Sequence, residues 1–160
     1  MKIDANKLVY RKMDKNDLDI FVKLRFAFLY EFNHEATEKN KETIKKSLES
    51  YFEAAISKNE FIGIVCEYEG NVISSAYMAI SEKPANFHFI NGKIGTLLNV
   101  YTHPEYRKNG ITSHILKMII DEAKKENLSE IELLATEAGE PLYRKLGFTE
   151  SEMKYMKLEI

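Results

Sequence analysis

Between Lys93 and Ala135 the chain reads as a strand, a helix and a second strand in unbroken succession, and that order narrows the folds open to it. Lys93 to Thr102 is a long apolar strand that stops at His103-Pro104, because proline cannot donate to a sheet ladder. From Gly110, the residues Ile111, Ile115, Leu116, Met118, Ile119 and Ala123 recur at helical spacing, to about Asn127. Ile131-Glu132-Leu133-Leu134-Ala135 then predicts a short buried strand. Two strands joined through a helix normally run parallel. Earlier in the chain, the runs Phe61 to Tyr68 and Val72 to Ile80 flank Glu69-Gly70-Asn71, a short connection of the kind that closes an antiparallel hairpin. The class is therefore α+β, with a mixed, mostly antiparallel sheet.

The remaining elements fit around that sheet. Leu8-Val9-Tyr10 is a short strand, and Asp14 with Asp17 three positions on forms a capping signature before Leu18, Phe21, Leu24, Phe28 and Phe32. Thr37 to Lys58 predicts a second amphipathic helix, with Ile44, Leu48, Tyr51, Phe52, Ala55 and Ile56 on one face. Ser81 to Gly92 is a loop. Pro141 and Gly147 bracket a short helix, and Glu152 to Leu158 predicts a final strand. No linker or repeat interrupts the sequence, so residues 1–160 are read as a single domain, long enough for one core.

Charge and cysteine usage exclude several classes. With 23 Lys+Arg against 25 Asp+Glu and a pI of about 6.1, no broad basic face is expected, hence no nucleic-acid partner. No apolar run approaches the roughly 20 residues that span a bilayer, which argues against a membrane partner. The lone Cys66 cannot form an internal disulfide, and the Met1-Lys2-Ile3-Asp4 start lacks the apolar stretch of a secretory signal. The expected location is cytoplasmic.

Chemistry concentrates in Asn99 to Thr112, where a strand passes through a tight turn into a helix. The first amides of a helix lack intrahelical acceptors and sit at the positive end of its dipole, so they can cradle a phosphate or pyrophosphate. Gly110 lets main chain approach closely, and Arg107 and Lys108 add positive charge. The Gly-Lys-Ser/Thr of a P-loop and the three spaced glycines of a dinucleotide fingerprint are both missing. Taken alone, one glycine before a helix reads better as a simple turn with solvated basic side chains.

The segment nonetheless resembles the cofactor motif of the GNAT superfamily of N-acetyltransferases, Gln/Arg-x-x-Gly-x-Gly/Ala, which follows a strand and a proline. Arg107, Gly110 and the spacing from Pro104 match; Lys108 stands where Gly is frequent, and Thr112 where Gly or Ala is expected. A second block, Leu133 to Phe148, ends in the Leu-Tyr-x-x-x-Gly-Phe signature of the same superfamily. The two blocks span Lys93 to Phe148, roughly a third of the chain.

The resemblance implies acetyl-CoA as cosubstrate, held between two parallel strands that splay apart. Its pantetheine arm would pair with the backbone of Val100, Tyr101 and Thr102. Its pyrophosphate would lie on Lys108, Asn109, Gly110, Ile111 and Thr112, beside Arg107. Thr136 falls where the family often has an Asn that contacts the cofactor, and Tyr143 matches the tyrosine assigned as general acid toward the departing thiolate. The implied reaction is direct attack of a primary amine on the thioester in a ternary complex, with the oxyanion on an amide near Val100 or Tyr101.

The general base stays open. Thr96, Leu97, Leu98 and Asn99 offer no carboxylate; Glu31, His34, Glu35, His88 and Glu137 are other candidates, and proton loss through water is a further route. Asn99 is expected to orient a water or bind substrate, and Glu31 or Glu35 to attract a cationic acceptor, beside Arg25 and the aromatic face Phe26, Phe28, Tyr30 and Phe32. His34-Glu35-Ala36-Thr37-Glu38 lacks the second His of a zinc motif, so no metal is expected. The acceptor amine is expected to be a small molecule rather than a protein. A non-catalytic acyl-CoA-binding or regulatory module is the alternative. Sheet edges commonly pair, and Lys154 to Glu159 is a candidate edge for a homodimer.

Overall fold

Along β2, Phe61–Tyr68, nearly every side chain is buried, because this strand lies inside the sheet and serves a core on each face. Ile62, Ile64 and Cys66 face one cluster, while Phe61 and Val65 face the other. The computed structural model describes residues 3–32 and 38–160. The other strands are β1 Leu8–Lys12, β3 Asn71–Glu82, β4 Lys93–Thr102 and β5 Glu130–Glu132, and the sheet order is β1-β2-β3-β4-β5. Neighbours from β1 to β4 are antiparallel, whereas β4 and β5 are parallel. Glu69 and Gly70, at φ 50° and 78°, form the two-residue turn that closes the β2–β3 hairpin.

Four helices cover the sheet: α1 Leu18–Phe32, α2 Glu38–Ser57, α3 Ile111–Lys125 and α4 Glu140–Lys145. Ile111, Ile115, Leu116 and Ile119 of α3 pack on Ile64, Ala76 and Met78. On the opposite face Phe21 of α1 and Phe52 of α2 pack with Phe61 and Tyr77, ring centroids 4.8–5.7 Å apart. Burying each such side chain stabilises the fold by roughly 1.5–3 kcal/mol. The capping signature at Asp14 forms over a 3-10 turn, Lys15–Asp17, that leads into α1. Asp17 also receives both arms of the Arg11 guanidinium at 2.8 Å, which ties β1 to that turn.

Two expectations need correction. The strand after α3 is three residues long and only partly buried, because it is the edge of the sheet and its ladder with β4 ends at Thr96 and Glu132. The final strand, Glu152 to Leu158, does not form. Met153, Tyr155, Met156 and Leu158 are exposed, so the edge proposed for a homodimer is absent too. A three-residue edge offers too few main-chain groups to offset the entropy of ordering such a tail, on the order of 1–2 kcal/mol per residue. His34, Glu35 and the start of the second predicted helix at Thr37 lie outside the described residues.

Candidate active site

The ladder between β3 and β4 pairs Tyr77 with Leu98 but Ser75 with Tyr101, so β4 carries one residue more than its partner. Asn99 absorbs this bulge at φ 51°, a left-handed conformation that asparagine tolerates better than most residues. The bulge turns Asn99 inward, to 3% exposure, where its Oδ1 accepts from Arg25 Nη1 at 3.5 Å and its Nδ2 donates to Ser75 Oγ at 3.4 Å.

Beyond Thr96, β4 and β5 part, and Val100, Tyr101 and Thr102 have no partner on the β5 side. Past β4, Pro104–Tyr106 makes a 3-10 turn, and Lys108 and Gly110 take φ 65° and 77° before α3 begins. Asn109 Nδ2 braces the turn by donating to the carbonyls of Tyr106 and Arg107, both at 3.1 Å. No side chain caps α3, so its first amides open into a cavity of about 210 Å³ lined by Thr102, Lys108, Gly110, Thr112, Ser113 and Leu142. That concentrates the positive end of the helix dipole on the cavity.

Thr112 lines this space with its hydroxyl turned to β4. Its hydroxyl bonds that of Thr102 at 2.8 Å, Thr102 in turn bonds Ser74 at 2.7 Å, and Ser74 donates to the Tyr101 carbonyl at 2.9 Å. The chain of hydroxyls holds the start of α3 against β4. Arg107 lines the same cavity, but its charge is committed elsewhere: Nη2 bonds the Glu31 carboxylate at 2.7 Å and Nε donates to the Thr102 carbonyl at 2.9 Å. Glu31 thus meets an arginine of the loop, a long-range pairing that the spacing of residues does not signal.

On the far side of the cleft, Thr136 is exposed and its Oγ1 accepts the Gly139 amide at 3.2 Å. A Cβ on Gly139 would lie 3.1 Å from Tyr143 Cε2 and 3.2 Å from Thr136 Oγ1, so glycine brings these two side chains together. Tyr143 also meets the Phe148 ring edge-on at 5.8 Å. Burial raises its hydroxyl pKa, which keeps the proton on oxygen. Of the described base candidates, His88 and Glu137 are both exposed. Cys66 is buried and its thiol is pushed up to about 11, chiefly by burial, so it is no nucleophile at neutral pH. Among the described residues no three His, Cys, Asp or Glu side chains gather to hold a metal ion, and no helix is long and apolar enough to cross a membrane.

The model of the acetyltransferase (GNAT) family matches residues 25–148. The chain belongs to the GNAT family. As a GNAT protein it is an acetyl-CoA-dependent N-acetyltransferase, and the expected resemblance is borne out. It is similar to an uncharacterized N-acetyltransferase of Archaeoglobus fulgidus, 25% identical over 142 residues that cover 89% of each chain. Among solved structures it is similar to a predicted acetyltransferase from Clostridium acetobutylicum crystallised with acetyl-CoA. The TM-score is 0.86 at 29% identity, over 95% of this chain and 96% of the other. A GCN5-related N-acetyltransferase from Ralstonia eutropha shares the fold at TM-score 0.80 and 20% identity, over 94% and 98% of the two chains. The GNAT chain thus has the α+β class read from its sequence.

Proposed function

We propose that this GNAT protein, as a single domain over residues 1–160, transfers the acetyl group of acetyl-CoA to the primary amine of a small molecule by direct attack in a ternary complex. The observation that carries this reading is the uncapped start of α3 beside the open edge of β4. In it, the amides of Lys108 to Thr112 receive the pyrophosphate, and Val100, Tyr101 and Thr102 pair with the pantetheine arm like an added strand. The Thr102 carbonyl already accepts from Arg107 and the Tyr101 carbonyl from Ser74, so of the three carbonyls that of Val100 is the most open to the arm.

The amine nitrogen attacks the thioester carbonyl, the C–N bond forms, and the oxyanion rests on a main-chain amide at the bulge. The C–S bond then breaks and the thiolate takes the proton of Tyr143 Oη, which its raised pKa keeps available. Glu31 is engaged by Arg107 and is no free base, so the ammonium proton leaves through water. Thr136 supplies a hydroxyl at the cofactor's rim, and Asn99 orients the acceptor.

Calorimetric titration with acetyl-CoA and then CoA tests the reading. The native protein is expected to bind in the micromolar range, and Gly110→Val to lose most of that affinity, because a branched Cβ at φ 77° is strained and blocks the approach to the amides. Absence of binding to the native protein would sink the proposal.

A further inference from the structure

We propose that Arg25, where α1 meets the bulge of β4, binds a carboxylate of the acceptor, so that the substrate is a primary amine carrying a carboxylate group. This rests on the acetyl-transfer reading above and adds the acceptor's chemical class to it.

Arg25 is half-buried, and among the described residues no carboxylate pairs with it. The two acidic residues of α1 are unavailable: Asp19 is exposed and Glu31 is held by Arg107. Among the described residues the polar contact of the guanidinium is the 3.5 Å bond to Asn99, and its Cζ lies 5.5 Å from the centre of the Phe28 ring. A guanidinium has five N–H donors in a fork matched to a carboxylate, so most of its capacity is unused. Withdrawing a charge from water without a counter-charge is unfavourable, and here burial indeed lowers the arginine's proton affinity.

A second group, on the face of β3 that Asn99 meets, is also unsatisfied. Tyr77 is 2% exposed, and its hydroxyl has no hydrogen-bond partner among the described residues. Burial raises its pKa, and Tyr77 lies two positions along β3 from Ser75, on the same face, where Asn99 links Ser75 to Arg25. Tyr77 pairs with Leu98, next to the bulge, so both groups adjoin the stretch of β4 that faces the thioester. One carboxylate there would accept the guanidinium fork and the phenol proton together. Arg25 carries a single charge, and a phosphate dianion would leave net charge buried. A carboxylate balances it. Its amine would then extend along Asn99 toward Val100 and Tyr101.

The test uses product mimics, so that it does not depend on turnover. After CoA binding has been established by calorimetry, the CoA-saturated protein is titrated with N-acetylglycine, N-acetyl-β-alanine and N-acetyl-γ-aminobutyrate, with their neutral amides, and with N-acetyl-O-phosphoethanolamine. At least one acid should bind about tenfold or more tightly than its amide. Arg25→Met should erase that preference without changing CoA affinity. Tyr77→Phe, which removes an oxygen that has no partner, should reduce it in a protein of unchanged melting temperature. The proposal is overturned if acids and amides bind alike, if neither binds, if the preference survives Arg25→Met, or if the phosphate binds as well as the best acid. Failure of CoA to bind at all would instead count against the acetyl-transfer reading.

Discussion

Arg107 Nη2 meets Glu31 Oε1 at 2.7 Å although 76 positions separate the two residues in the chain. The pair fastens the end of α1 to the loop before α3, across the mouth of the cofactor cleft. Both side chains are partly exposed, 43% and 33%, so the contact is worth only about 0.2–1 kcal/mol of stability. Its larger effect is on charge. Glu31→Gln releases the guanidinium toward the cavity, and CoA should bind roughly threefold more tightly at low salt, with the gain shrinking as salt rises. Calorimetry at two ionic strengths reads this directly; equal affinity of both proteins at low salt would refute it.

Lys108 holds a left-handed backbone, φ 65°, at a position where its family frequently has glycine. Lys108→Gly relieves that strain and should raise stability by up to about 1 kcal/mol. Thermal unfolding of the two proteins without ligand decides the matter, and a lower melting temperature in the variant would contradict the strain argument.

Thr112 is bonded to Thr102 and so has a structural part to play in the loop. Thr112→Ala should lose about 1 kcal/mol of stability and leave CoA affinity within about twofold. A marked weakening of CoA binding in a stable Thr112→Ala protein would show that the hydroxyl serves the ligand instead.

Tyr143 is kept protonated by burial, and Tyr143→Phe removes its proton while keeping the ring against Gly139 and Phe148. The rate with a working acceptor should fall about 10²-fold or more, with CoA affinity nearly unchanged. Because the pKa is raised, activity of the native enzyme should persist up to the ordinary tyrosine range near pH 10 before the alkaline limb begins. Equal rates in both proteins would remove Tyr143 from the reaction.

Asp17 carries the acid sensitivity of the β1–α1 corner. Arg11 holds its carboxyl below the usual value of 3.8, against the opposing effect of burial. The folded state therefore binds this proton less readily than the unfolded one. The stabilisation is complete above the unfolded pKa and is lost as pH falls through the lowered folded value. Asp17→Asn should cost about 2 kcal/mol at neutral pH and flatten the acid limb below about pH 4 in denaturant titrations. An unaltered acid limb would assign the sensitivity to other carboxylates.

Local signals made most of the fold legible. Period-3.6 stripes marked α1 and α3, a glycine turn marked the β2–β3 hairpin, and the proline at 104 marked the end of β4. The candidate site could be proposed from sequence where it is continuous, from Asn99 to Thr112 and from Thr136 to Phe148. What stayed hidden depends on distant pairs. Nothing local says that Glu31 meets Arg107, or that Arg25, Asn99 and Ser75 converge from three elements. The bulge was equally invisible, since an asparagine in an apolar strand has the same spelling whether or not its backbone turns left-handed. The final strand failed for a different reason. Its alternating pattern suits a strand, but strand pairing also needs a neighbour, and β5 ends after three residues.

The extra residue in β4 also acts as a change of phase. Before it, Leu97 points to the α3 core; after it, Val100 packs toward that core and Tyr101 packs on the α1/α2 side. Thr102 consequently faces α3, where Thr112 meets it. With strict alternation, positions 101 and 102 would exchange faces: the tyrosine ring would press into the start of α3, and the threonine would lose both its hydroxyl partners. A single-residue deletion at Asn99 would thus dismantle the cofactor end of β4 while leaving every remaining side chain in the sequence intact. In this strand, the count of residues is as much a part of the site as their identity.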